Sequence, residues 1–211
     1  QFVFSMILSL IINSNIRFQR FFRSIIMLPW VIPTIITAIL WMWLYQPQYG
    51  VINFFLVKLG IVDQPIGILS NPKLALWAIV IAALWKQVPL MTIMLIAGLQ
   101  GIPEEMYEAA AIDGSTKKQT FWYVTLPFLK TVIKTTVLMS IIDNFKQFPL
   151  FWTMTGGGPM NKTQTLAIYS YKNAFVNMNF GKGAAIAMVW LVLLIGVSIV
   201  YNKVFETAEI E

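Results

Sequence analysis

Glu104, Glu105, Glu108 and Asp113 crowd one short polar stretch, closely followed by Lys117 and Lys118. A second set, Lys86, Asp143 and Lys146, stands inside long apolar runs, beside Trp85, Gln87, Asn144, Gln147 and Phe148. The chain contains no cysteine and no histidine. That composition excludes thiol chemistry, disulfides, Cys/His metal centres and imidazole acid–base catalysis, so neither a catalytic set nor a metal site is expected. The segment from Gly157 to Thr163 superficially follows a phosphate-binding loop, but Asn161 occupies the second glycine position and Pro159 removes an amide donor. No nucleotide should bind there. Asn161-Lys162-Thr163 also fits a glycosylation acceptor, a match of low specificity.

The elements that must position these groups are set by an apolar solvent. Of 211 residues 58% are hydrophobic and 11% charged, against roughly 25% charged in an ordinary soluble domain. A spanning helix needs about 20 mostly apolar residues, and four segments supply them: about Ser24 to Tyr45, Leu74 to Leu99, Phe128 to Trp152 and Gly183 to Tyr201. Gln1 to Ile12, ended by Asn13-Ser14-Asn15, is too short and is read as the end of an earlier span, which makes the chain N-terminally incomplete. The sequence therefore predicts an all-α, polytopic membrane domain over residues 1–211. The net charge of +6 comes from basic clusters between apolar runs, which argues against a nucleic-acid partner.

Basic residues near span ends stay in the cytoplasm. Arg17, Arg20 and Arg23 mark that side, and alternation places Lys117, Lys118, Lys130, Lys134 and Lys203 with them. Lys58, Lys73, Lys162, Lys172 and Lys182 fall outside. The connection 100–127 is then cytoplasmic, and 46–73 and 153–182 are outer loops. The apolar run Val51 to Leu59 is too short to cross and is expected to lie flat at the interface, as is Thr163 to Ala174. Trp30, Trp41, Trp43 and Trp77 read as interface anchors or packing residues.

The connection 100–127 reads as two short helices around a glycine. Pro103 suits a first turn, Glu104 and Glu105 complement the positive helix start, and Gly114 suits a left-handed terminus. Ser115 is expected to cap a second helix that stops at Pro127. Ala109 and Ala110 would let another surface approach the backbone. Glu108-Ala109-Ala110, then Gly114, then Val124-Thr125-Leu126-Pro127 resembles the EAA motif of ABC importer permeases, with Val124 where the consensus has Ile. Phe21-Phe22-Arg23, Leu28-Pro29-Trp30, Trp43-Leu44-Tyr45, Tyr49-Gly50-Val51-Ile52-Asn53 and Thr155-Gly156-Gly157-Gly158-Pro159 are similar to the carbohydrate-importer branch, closest to the larger maltose-type subunit.

The resemblance implies the ABC importer permease (MetI-like) fold and a subunit that is not itself an enzyme. ATP and Mg would be bound by two partner cytoplasmic ATPase subunits, with no cofactor in this chain. A second homologous permease, an extracellular sugar-binding protein and membrane lipid complete the expected partners, in a prokaryotic cell membrane. Glu104, Glu105, Glu108, Ala109, Ala110, Asp113 and Gly114 would dock the ATPase as a coupling helix. Ionisable groups at membrane depth usually face a cavity or each other. Two readings are structural: Asp143 and Lys146, three residues apart, neutralise one another, or Lys86 pairs with Asp143 across two helices. The third is a sugar pathway, in which Trp85, Lys86, Gln87, Asp143, Asn144, Gln147 and Phe148 supply hydroxyl-directed polar groups and aromatic planes. Pro89 would open the helix that carries Lys86. The charges at Asp143 and Lys146 depart from the maltose-type pattern and allow a charged or amino-bearing glycan. The rival from another class is an ion- or proton-coupled carrier that titrates Asp143 and needs no ATPase.

Overall fold

The computed structural model describes residues 1–14 and 17–210, the last five by backbone alone. Asn15, expected in the first polar break, lies outside the described residues. Every regular element among them is helical: α1 Phe2–Asn13, α2 Gln19–Val31, α3 Thr34–Leu44, α4 Val51–Lys58, α5 Ala75–Gln100, α6 Glu104–Ile112, α7 Lys117–Thr120, α8 Leu126–Phe145, α9 Pro149–Thr155, α10 Leu166–Tyr171 and α11 Phe180–Ile210. The chain divides into two compact units, one of Gln1–Val31, Gln87–Ile141 and Thr207–Glu211, the other of Ile32–Lys86 and Ile142–Glu206.

Among the described residues three helices are long and apolar enough to cross a membrane: α5, the continuous helix Lys117–Phe145, and Phe180–Phe205 within α11. A fourth span exists if the sharply bent pair α2 and α3 crosses as one. The expected span Ser24 to Tyr45 is therefore not a single helix. Pro33 has no N–H to donate and disfavours helical geometry at Ile32, so α2 ends at Val31 and α3 restarts with Pro33 as its N-cap. The expected span Phe128 to Trp152 is also divided. α8 stops at Phe145, Pro149 stands at the first position of α9, where its missing N–H is not needed, and Trp152 belongs to that separate helix. Pro89, by contrast, is absorbed: α5 runs through it unbroken, whereas the sequence led us to expect an opening.

In the first unit Met6, Met91, Leu95, Leu99, Ile102 and Leu129 form the core. Ser5, fully buried on α1, donates from its Oγ to the Val88 carbonyl at 3.2 Å, and Gln1 Nε2 reaches the Gln87 carbonyl at 3.5 Å. These bonds give α1 polar anchors on the stretch of α5 around Pro89. Gly98 lets α5 and α8 approach closely, since a Cβ there would meet Leu129 Cδ2 at 2.8 Å.

In the second unit Ala38, Tyr45, Ile68, Ala78, Ile79, Ala82, Leu150 and Met154 make the core. Its corner is tied by Asn53, whose Nδ2 donates to the carbonyls of Tyr45 and Gln46 at 3.0 and 3.3 Å while its Oδ1 accepts from Ile66 N–H at 2.9 Å. The side chain thus ties the end of α3 to the loop after α4, and an apolar residue would remove the bonds to Tyr45 and Ile66, while the Gln46 carbonyl keeps its bond from Gly50 N–H. Gly50 is required for a different reason: a Cβ would lie 2.3 Å from the Gln46 carbonyl oxygen. The Tyr49-Gly50-Val51-Ile52-Asn53 signature is a turn-and-staple device. α4 forms where the short apolar run predicted a helix. α11 is largely exposed along its apolar length, a surface suited to lipid or to another helix.

Candidate functional site

The connection after α5 is built on Ile102, which is buried and joins the first unit's core. Pro103 caps α6, Glu104 and Glu105 occupy its first turn, and Asp113 is its C-cap. The helix ends in a Schellman motif. Ser115 N–H donates to the Ala110 carbonyl at 3.0 Å and Gly114 N–H to the Ala111 carbonyl at 3.1 Å, with Gly114 at φ 73°. Such a φ suits glycine because it has no Cβ. The two helices expected around Gly114 are thus present, with two corrections.

The first concerns the cap. Thr116, not Ser115, begins the second helix, in a capping box with Gln119, while the Ser115 hydroxyl pairs with that of Thr120 at 2.9 Å. The second concerns the stop. The helix does not end at Pro127, because Phe121–Thr125 widens into a π turn in which Leu126 N–H reaches back to the Phe121 carbonyl. The wider ladder accommodates a residue without an N–H, and the helix continues into α8.

Glu104, Glu105, Glu108, Ala109, Asp113 and Gly114 are exposed on this hairpin. Ala110 is not: it is 8% exposed, so its small size serves packing within the chain rather than access from outside. Tyr107 points inward, its hydroxyl 3.4 Å from that of Thr125. The hairpin and the helix it leads into also expose apolar groups that the sequence pattern did not single out. Ile112 is 86% exposed, with Tyr123 and Trp122 also outward. An isolated outward isoleucine has no periodicity to betray it.

The second set is less united than its sequence neighbourhood suggests. Lys146 directly follows the last residue of α8, and its N–H still donates to the Ile142 carbonyl at 3.2 Å. Lys86 is half-buried and its ammonium donates to the carbonyl of Ile32. Asp143 and Asn144 are exposed at the end of α8, and Gln147 is half-buried in the break before α9. Gln87 belongs to the first unit, and its amide nitrogen is buried without a hydrogen-bond partner among the described residues.

The aromatic members are organised. Phe148 stacks on Trp152 at 5.6 Å and touches Tyr171 at 5.1 Å, and Tyr171 continues to Phe175 at 5.1 Å. Phe145 stacks on Trp190 at 4.5 Å, whose indole N–H donates to the Phe145 carbonyl. Trp85 meets Trp41 edge to face at 5.9 Å, and both line an open groove of about 470 Å³ with Leu40, Trp43, Leu44, Tyr49 and Val51. Trp41 is thus a packing residue, whereas Trp43 and Trp77 are outward, as anchors would be. No group of acidic side chains able to hold a metal ion occurs among the described residues.

Comparison with known proteins fits this architecture. The trehalose/maltose transport system permease protein MalF of Thermococcus litoralis is 39% identical over 93% of this chain and 65% of its own length. The sulfoquinovosyl glycerol transport system permease protein SmoG of Agrobacterium fabrum is 34% identical over 96% of this chain and 65% of its own. The chain therefore spans about two-thirds of the length of these relatives. A solved bacterial ABC transporter involved in the import of the acidic polysaccharide alginate superposes with a TM-score of 0.88 at 20% identity, over 98% of this chain and 72% of that one, which shows the shared fold. The family model for the binding-protein-dependent transport system inner membrane component matches residues 1–204, and the chain belongs to that family.

Proposed function

We propose that this chain is the transmembrane permease subunit of an ATP-driven sugar importer, seated in a prokaryotic cytoplasmic membrane. A second permease, two cytoplasmic ATPases and an extracellular sugar-binding protein complete the machine. The observation that carries the reading is the α6–Gly114–α7 hairpin. It presents Glu104, Glu105, Glu108, Ala109, Asp113 and Gly114 beside the 86% exposed Ile112, and it joins two helices long enough to span. A rigid, solvent-facing corner with a greasy tip suits insertion into another protein. Because α7 runs through the π turn into α8 without a stop, a push on the hairpin passes directly into a spanning helix.

ATP and its magnesium belong to the ATPases, and the contribution of this chain is mechanical. Trp85, Gln87, Asp143, Asn144, Gln147 and Phe148 contribute to the sugar pathway: amide and carboxylate groups meet hydroxyls, and aromatic planes cover the C–H face of a ring. Lys86 is set apart from them by its bond to the chain's own backbone. The relatives' printed substrates, which include trehalose/maltose and a sulfoquinovosyl glycerol, support a sugar as the class of cargo. The test is ATP turnover and sugar uptake by the full-length complex in proteoliposomes. Stimulation of both by sugar-loaded binding protein supports the assignment; uptake driven by a proton gradient without ATP refutes it.

A further inference from the structure

The break between α2 and α3 creates a backbone problem that one charged side chain solves. α2 ends at Val31, and the hydrogen-bond ladder of α3 starts with the Pro33 carbonyl, which accepts from Thr37 N–H at 3.0 Å. The Ile32 carbonyl between them belongs to neither helix. In hydrocarbon a backbone group without a partner is strongly unfavourable, and irregular backbone at membrane depth survives only where something satisfies it. Lys86, on α5, donates its ammonium to that carbonyl. Its neighbour Trp85 packs on Trp41 of α3 at 5.9 Å, so α5 grips α3 and the break before it at two successive residues.

We infer that Lys86 is a positioning residue that clamps the Ile32–Pro33 break, rather than a group that touches cargo. Lysine fits this role because it carries three donors on a long flexible stem, and its charge strengthens a bond to a carbonyl. A cation in the middle of an apolar helix thereby has a structural reason in the backbone of the chain itself. The clamp holds irrespective of what the subunit transports, because its readout is the local order of the break.

Residues 1–211 contain no cysteine, so a thiol introduced among them is read against the unsubstituted transporter as blank. Thr34→Cys, at the start of α3, is labelled with a membrane-impermeant maleimide in the full-length assembled transporter, alone and combined with Lys86→Met, Lys86→Ala, Lys86→Gln or Lys86→Arg. Loss of the donor should raise the labelling rate roughly fivefold in Lys86→Met through local opening. Arginine should keep it within about twofold of the parent, since guanidinium also donates. If Lys86→Met fails to assemble, Lys86→Gln keeps an N–H donor, and labelling slower than in Lys86→Ala supports the clamp. Equal labelling in the parent and Lys86→Met overturns it. So does a changed sugar concentration dependence in Lys86→Arg with labelling unaltered, which would place the lysine on the cargo.

Discussion

Asn53 is 1% exposed and its amide is engaged by three backbone groups, so an apolar replacement removes every one of those bonds. Orphaning buried backbone groups costs about 1–3 kcal/mol each before relaxation. Asn53→Leu should therefore lower the thermal midpoint of the purified complex by several degrees and reduce the assembled amount in membranes. Gly114 poses a different residue-level test. Nothing lies within 4 Å of a Cβ built there, so any penalty is conformational rather than steric, on the order of 1–2 kcal/mol for the left-handed backbone. Gly114→Asn should retain most sugar-stimulated ATP turnover, because asparagine visits that region most readily among larger residues. Gly114→Val should lose most of it, while the amount of complex recovered stays close to the parent. Equal turnover in the two variants would show that the Schellman geometry is dispensable.

At the scale of elements, the proposed transfer of force through the hairpin requires α5 and α8, which flank it, to be held at a fixed separation. Gly98 sets that separation: a Cβ would lie 2.8 Å from Leu129 Cδ2 and 3.0 Å from Val132 Cγ2. Overpacking of this kind costs about 1–3 kcal/mol. Gly98→Val should lower thermal stability and dissociate ATP turnover from uptake, measured as sugar moved per ATP consumed. The start of α7 makes a milder prediction. Thr116→Ala removes a capping box worth about 1 kcal/mol, and hydrogen exchange over residues 116–120 should quicken while spectra of the spanning helices stay unchanged. Prolines punctuate this chain according to their surroundings. Pro33 and Pro149 coincide with helix breaks, whereas Pro89 and Pro127 are carried within continuous helices, Pro127 directly after a π turn.

For the whole molecule the proposed topology is testable, because residues 1–211 contain no cysteine and the unsubstituted transporter serves as the labelling blank. Lys117→Cys should react with an impermeant maleimide only after the inner face of the membrane is exposed, and Lys162→Cys should react from outside in intact cells. Reaction of both from the same side would overturn the alternation on which the cytoplasmic hairpin depends. The exposed apolar length of α11 predicts a partner or lipid along it. Crosslinking from cysteines placed there, in cells producing the whole transporter, would identify which.

The sequence by itself determined the solvent, the class of fold and the hairpin. Apolar runs of spanning length leave a helix as the only economical way to satisfy backbone groups in lipid, and Pro103, Glu104, Glu105 and Gly114 have local physical reasons to begin and end α6. Tertiary structure decided what depends on partners distant in the chain. Whether Ala110 faces inward, whether Pro127 stops a helix, and whether Asn53 staples a corner follow from packing and from which carbonyls need donors. Lys86 is the sharpest case. Its charge was visible among apolar residues, but its partner is a carbonyl 54 positions away, and a backbone carbonyl leaves no mark in a sequence.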